Sequence, residues 1–181
     1  MKAPGRKTAG FTLLEVMIVV AIMGIMAFIA IPSFQGLIYK YRARTAAREF
    51  VGLFMRAKTA SVQAPIALGS SPYQLRVDCA NDAFSVAPTL PGGGKSSFTA
   101  ASDFPGVNIF ALEAHLNAAP TATGAGMTGN VTRTFDRAGS SSQDNVANTR
   151  NYTVFFEAPG NNRYRVQVYG TVGAIKVITG W

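Results

Sequence analysis

Glu15 makes the sharpest chemical demand of any residue in this sequence. It is the only charged side chain between Phe11 and Phe34, a stretch of 24 residues dominated by aliphatic and aromatic groups. An ionised side chain at the centre of a membrane helix costs up to about 3 kcal/mol on insertion scales, so such residues mark a function and have a partner nearby. A cut between Gly10 and Phe11 would supply one. It creates a cationic amine within about one helical turn of Glu15, and an amine on a neighbouring copy can neutralise the carboxylate in a low-dielectric bundle. The alternative reading is an acid left incidentally at a membrane interface.

The remaining reactive groups are sparse. His115 is the only histidine and Cys79 the only cysteine, so neither a histidine-rich metal site nor a structural zinc site can be built. Ser/His/Asp chemistry through His115 lacks a nucleophile elbow. The stretch PGGGK at 91–95 has glycines and a lysine but not the spacing or following hydroxyl of a phosphate loop, and reads as a loop. Cys79 can form no intrachain disulfide and reads as a small buried hydrophobe. The expectation is a protein without catalytic residues, metal or cofactor.

The elements that position Glu15 follow from length and charge. As a helix, Phe11–Phe34 spans about 36 Å, enough for a bilayer core. Lys2, Arg6 and Lys7 precede it and place the leader on the cytoplasmic side, although the second basic cluster, Lys40 to Arg48, dilutes that signal. No small-x-small cleavage site follows the apolar run, as it would after an ordinary secretory signal; the glycine stands before it. The formal net charge of +8 is concentrated early: residues 65–181 hold eight bases against seven acids. That distribution weakens a nucleic-acid reading based on bulk charge.

Beyond the span, Phe50, Leu53, Phe54, Ala57, Ala60 and Ala64 follow helical spacing, and Lys40, Arg44 and Arg48 form a separate stripe at every fourth residue. The basic stripe suits solvent, acidic patches on neighbouring subunits, lipid head groups or DNA. The helix is expected over Phe11–Gln63, ended by Pro65, with a kink at Pro32 between Gly24 and Gly36. After residue 70 the pattern becomes strand-like at 73–77, 83–87, 131–135, 152–157, 164–169 and 174–178. APGNNR is a hairpin turn between two of these. Residues 88–103, 117–130 and 139–151 read as mobile surface loops suited to partner contacts. The fold class is therefore α+β: a long N-terminal helix, membrane-spanning in its first half and amphipathic in its second, packed on an antiparallel β-sheet domain. The segments are a basic leader (1–10), the transmembrane and assembly half of the helix (11–34), its amphipathic half (35–64) and a β-rich globular domain (65–181).

The stretch GFTLLEVMIVVAIMGIMAFIAIPSF resembles the N-terminal signature of type IV pilins and type II secretion pseudopilins. Gly10 before the cut, Phe11 after it, Glu15 as the fifth residue of the mature chain and Pro32 in the helix carry the resemblance, with a short basic leader. The resemblance implies that a prepilin peptidase cleaves after Gly10 and that Phe11 is N-methylated. It implies that Glu15 sets register and recruitment in a filament, and that Pro32 belongs to the same assembly segment. It also implies a single-pass inner-membrane precursor with a periplasmic C-terminal domain, and as partners an inner-membrane assembly platform, a major pilin or pseudopilin, other minor subunits and, before assembly, membrane lipid.

A looser resemblance covers the C-terminal half. TFDRAGSSS and YRVQVYGTVGAIKV are similar to the GspH/FimT-like minor pilins and pseudopilins, with Phe135 and Gly139 as the matching element. It implies a low-abundance subunit that initiates or caps a type IV pilus, or alternatively a pseudopilin at the tip of a secretion pseudopilus. Some FimT-like members bind DNA through a glycine-arginine-x-arginine element in the final turn. Here the corresponding stretch is VGAIKV, whose only base is Lys176. DNA is therefore a weaker partner assignment, resting on Arg133, Arg137, Arg163, Arg165 and Lys176 coming together through the fold, with Arg150 as a further base.

Overall fold

One helix, α1, runs over Leu13–Gln63 in a computed structural model that describes residues 10–68, 72–113, 130–139, 141–143, 152–169 and 174–179. It starts two residues later than expected because Thr12 takes the capping position: its Oγ1 accepts a hydrogen bond from the Glu15 backbone N–H at 3.2 Å. It ends as expected at Gln63, where Pro65 follows and a 3-10 turn over Ile66–Leu68 closes with Leu68 N–H donating to the Pro65 carbonyl. Among the described residues, no single helix is long and apolar enough to cross a membrane. Leu13–Ile29 and Phe34–Gln63 meet that criterion together, as a bent pair joined through the residues around Pro32.

Residues up to Leu37 form one compact unit and Ile38 onward another. In the first, the large apolar side chains lie on the surface, with Phe11 83% and Phe28 81% exposed. Scattered apolar exposure is ordinary, but a continuous helical run of it is a surface awaiting lipid or protein.

In the second unit the helix becomes a core element. Ala43, Ala46, Ala47, Phe50, Leu53, Phe54 and Ala57 are buried. Their spacing puts them on one helical face, where the alanines allow close approach and the aromatics fill the space beyond. Two antiparallel sheets supply the other side. The first contains β1 (Tyr73–Asp78), β2 (Ala83–Ala87), β3 (Ser97–Thr99), β5 (Val131–Phe135) and β6 (Ser141–Gln143), in the order β3-β2-β1-β5-β6. The second contains β4 (Asn108–Glu113), β7 (Tyr152–Ala158), β8 (Asn162–Tyr169) and β9 (Ala174–Thr179), in the order β4-β7-β8-β9. A short helix, α2 (Ala100–Asp103), lies between β3 and β4.

The α+β class, a long helix packed on an antiparallel β-domain, is as the sequence implies, and the strands divide into two sheets. Phe50 shows how both meet the helix. Its ring lies 5.5 Å from Phe84 on β2 and 5.8 Å from Phe156 on β7. Phe54 stands edge-on to Phe135 of β5 at 4.8 Å. Alternation explains the first sheet: Tyr73, Leu75 and Val77 pair with Phe135, Arg133 and Val131 on the inner face.

The expected surface loop at 88–103 is partly built into the core. Leu90, Phe98 and Ala100 are buried, β3 pairs with β2, and the rings of Phe84, Phe98 and Phe104 stack. Residues 117–129 and 144–151 of the other two expected loops lie outside the described residues, whereas Ser141–Gln143 form the edge strand β6. The APGNNR hairpin is present: Ala158 pairs with Asn162, and Asn161 turns the chain at φ 62°.

Candidate functional site

Gly10 to Glu15 form the first candidate site. The sequence T-L-L-E places a hydroxyl at the cap and a carboxylate three residues on, the arrangement of a capping box. Thr12 Oγ1 satisfies one of the helix's orphan N–H groups, and Glu15 sits in the first turn, where the positive end of the helix dipole favours an anion. Glu15 thus has a local reason to be where it is, besides any amine on another subunit. The signal for this cap, threonine three residues before a glutamate ahead of an apolar run, was present in the sequence and was missed there. Gly10 is exposed, and a Cβ built on it would meet nothing within 4 Å. Packing in the described chain therefore does not require glycine there.

The second candidate, a shared surface of bases, is not assembled by the fold. Arg133 is fully buried on the inner face of β5, opposite Leu75, and is not a surface cation. Arg137 donates through Nη2 to the Pro65 carbonyl, tying the end of β5 to the end of α1. Arg163 makes an ion pair with Glu157 across the β7–β8 ladder, Nε to Oε1 at 2.9 Å. Arg165 is half-buried opposite Phe155, and Lys176 is exposed opposite Gln167. Arg163, Arg165 and Lys176 thus share one face of the second sheet, while Arg133 and Arg137 belong to the first. Arg150 and His115 lie outside the described residues.

The Phe135–Gly139 element has a clear local role. Phe135 is buried against Phe54, and Gly139 turns the chain at φ 75°. A Cβ on Gly139 would lie 3.3 Å from Lys58 Cε and 3.4 Å from Val62 Cγ2, so the glycine lets the turn after β5 approach α1 closely. The loop 91–95 is tied down as well. Arg56 Nη2 donates to the Lys95 carbonyl at 3.1 Å, Lys95 pairs with Asp103, and Gly92, Gly93 and Gly94 all have positive φ.

Among the described residues, three groups titrate away from their ordinary values. Burial pushes the Cys79 thiol up, which disfavours the thiolate that would be its nucleophilic form. Burial also raises Asp103, but hydrogen bonds from Lys95, the Thr99 N–H and Ser102 outweigh it and hold the carboxyl below its ordinary range. Asp78 is held low chiefly by the Asn81 side chain. Among the described residues, no three His, Cys, Asp or Glu side chains come together as a metal site.

The arrangement is that of a subunit whose N-terminal helix carries an exposed apolar run and whose β-domain grips that helix further along. Comparison with known proteins narrows this. Residues 5–31 match the prokaryotic N-terminal methylation motif. Two fimbrial proteins of Pseudomonas aeruginosa are each 40% identical over 92 residues, covering 48% of this chain and 55% of theirs. Fimbrial protein Q of Moraxella bovis is 43% identical over 63 residues, covering 35% of this chain and 37% of its own. The chain thus spans about half the length of the Pseudomonas proteins, and less of the Moraxella one. No solved structure matches significantly. The chain is thus similar to fimbrial proteins over about half its length, and the methylation motif runs into the long helix that packs on the antiparallel sheets.

Proposed function

We propose that the chain is a minor, pilin-like structural subunit that helps initiate or cap a type IV pilus. It is held in the inner membrane by residues 11–34 with its β-domain in the periplasm, cleaved after Gly10 by a prepilin peptidase and methylated on Phe11. It then enters the filament from the assembly platform by packing its apolar run among major pilins and other minor subunits. The observation that carries this reading is the methylation motif at 5–31 on an apolar helix whose side chains lie exposed. Gly10 is exposed with open space around it, which leaves it accessible to a peptidase. The minor role rests on the resemblance of the Phe135–Gly139 element and the last hairpin to the GspH/FimT-like group.

Mass spectrometry of filaments sheared from the native cell surface tests it. A peptide beginning at methylated Phe11, at low abundance beside a major subunit, is the expected result. The processed peptide confined to the membrane fraction would favour the secretion pseudopilin, and an uncut leader in the membrane form would overturn the pilin reading. The DNA-binding alternative predicts salt-dependent binding that falls when Arg163, Arg165 and Lys176 are neutralised. The burial of Arg133 and the pairing of Arg163 count against it.

A further inference from the structure

The second half of α1 has a face that the β-domain leaves uncovered. Leu37, Tyr41, Arg44, Arg48, Gly52, Met55, Thr59 and Val62 recur every three or four residues, and all are exposed. Lys40 lies at the margin of this stripe. The face points away from Ala43, Ala46, Phe50 and Phe54, which contact the sheets.

The cations on this helix fall into two groups. Arg42 donates to the Pro105 carbonyl at 2.9 Å and lies over the Tyr39 ring, and Arg56 reaches the Lys95 carbonyl. Both are committed to the domain. Lys40, Arg44 and Arg48 are exposed and make no ion pair among the described residues. The acids of the helix do not offset them: Glu15 lies at its far end, and Glu49 is half-buried at the flank of the stripe. Three cations therefore stand on one helical face, interleaved with Leu37 at 63% and Tyr41 at 70% exposure.

This mixture begins where the apolar run ends. Lys40 follows Phe34 by six residues, about 9 Å along a helix, and Arg48 by about 21 Å. Bases with long aliphatic stems, and a tyrosine with one polar end, suit the boundary between hydrocarbon and head groups. We propose that Lys40, Arg44 and Arg48, with Tyr41, rest on anionic lipid head groups while the subunit waits in the membrane, so that α1 follows the membrane surface beneath its own β-domain. This rests on the membrane-anchored reading above. Charge complementarity and continuity in sequence with the apolar run select lipid as the occupant.

Full-length chain reconstituted in vesicles tests the idea, either in phosphatidylethanolamine alone or with about one part in four phosphatidylglycerol. A nitroxide at Gly52→Cys, in a Cys79→Ser background, reports access to a water-soluble nickel relaxant. A Cβ at Gly52 meets nothing within 4 Å, so the label is accommodated. Each base at an anionic surface favours the bound form about fivefold, so neutralising three shifts the balance on the order of a hundredfold. The expected result is severalfold lower nickel access in the anionic vesicles, lost at high salt and in the Lys40→Gln, Arg44→Gln, Arg48→Gln variant. Equal access in both vesicles, with the chain still resistant to carbonate extraction, overturns the proposal and leaves the anchor intact. A chain that carbonate extracts overturns both. Protection seen only in assembled filaments, or only with duplex DNA, assigns the stripe to that partner and overturns the lipid proposal.

Discussion

Replacing Phe50 with alanine removes a ring of α1 that touches an aromatic side chain in each sheet. Its side chain is fully buried, edge-on to Phe84 of the first sheet and tilted against Phe156 of the second. Phe→Ala changes in cores cost about 3–5 kcal/mol, the upper part applying where neighbours cannot collapse into the space. Here the neighbours are held by separate hydrogen-bonded ladders, so about 4–5 kcal/mol is expected. Against a domain stability of roughly 5–15 kcal/mol this is a large fraction. With a urea slope of about 2 kcal/mol per molar, the midpoint should fall by about 2 M. Urea unfolding of the full chain in detergent, followed by near-ultraviolet circular dichroism, measures it. Met55→Ala is the control, because Met55 is 45% exposed on the opposite face and should cost under about 1 kcal/mol. If Phe50→Ala costs no more than Met55→Ala, the Phe50 ring does not help to join the two sheets, and the direct contact of Phe84 with Phe156 suffices.

Two glycine substitutions should act with opposite signs. Gly106→Ala puts a Cβ 3.0 Å from Tyr39 Cε1 at a residue with φ 86°, and should destabilise by about 1–3 kcal/mol. Gly52→Ala, mid-helix with open space around it, should stabilise by nearly 1 kcal/mol; thermal melts distinguish the two. Asp103 contributes stability that is present above the ordinary carboxylate value of about 4 and is lost as pH falls through its lowered folded value. Lys95→Met should flatten that acid limb of the stability curve. Thr12→Ala should fray the start of α1, costing about 1 kcal/mol and accelerating amide exchange at 13–16. Glu15→Ala should leave membrane insertion intact but reduce incorporation into filaments, and unchanged incorporation would show that amine pairing is unimportant.

Much of this fold could be read from spacing. The end of α1 followed from apolar periodicity meeting Pro65, and six strands from alternation or β-branched and aromatic runs. The missed strand β4 has a physical reason. Ile109, Phe110 and Ala111 are all buried, because one face of that strand joins the main core while Phe110 stacks on Phe155 on the other. A strand buried on both faces loses its alternation. The segment 88–103 hid its core residues among glycines and serines, with Leu90 and Phe98 too far apart to form a pattern. Arg133 was a different kind of error. The alternation that placed Val131 and Phe135 inward also placed Arg133 inward, and its charge was allowed to outweigh its position. The division of the strands into two sheets depends on pairings between distant segments, for which single-sequence spacing carries no signal. Near the N-terminus the sequence singled out Gly10, Phe11 and Glu15, but the Thr12 cap that the structure shows was not drawn from them.

The order of synthesis gives the central position of α1 a further consequence. The helix leaves the ribosome before any strand that will cover it, and the face bearing Phe50 and Phe54 lacks one of its ring partners until Phe156 has been made. At about 5–20 residues per second that interval is roughly 5–20 s. Throughout it, a greasy helical face stands open behind the exposed apolar run at the start of the same helix. The precursor is then most vulnerable to wrong associations, and a folding helper that holds exposed apolar helices would find its substrate in this window.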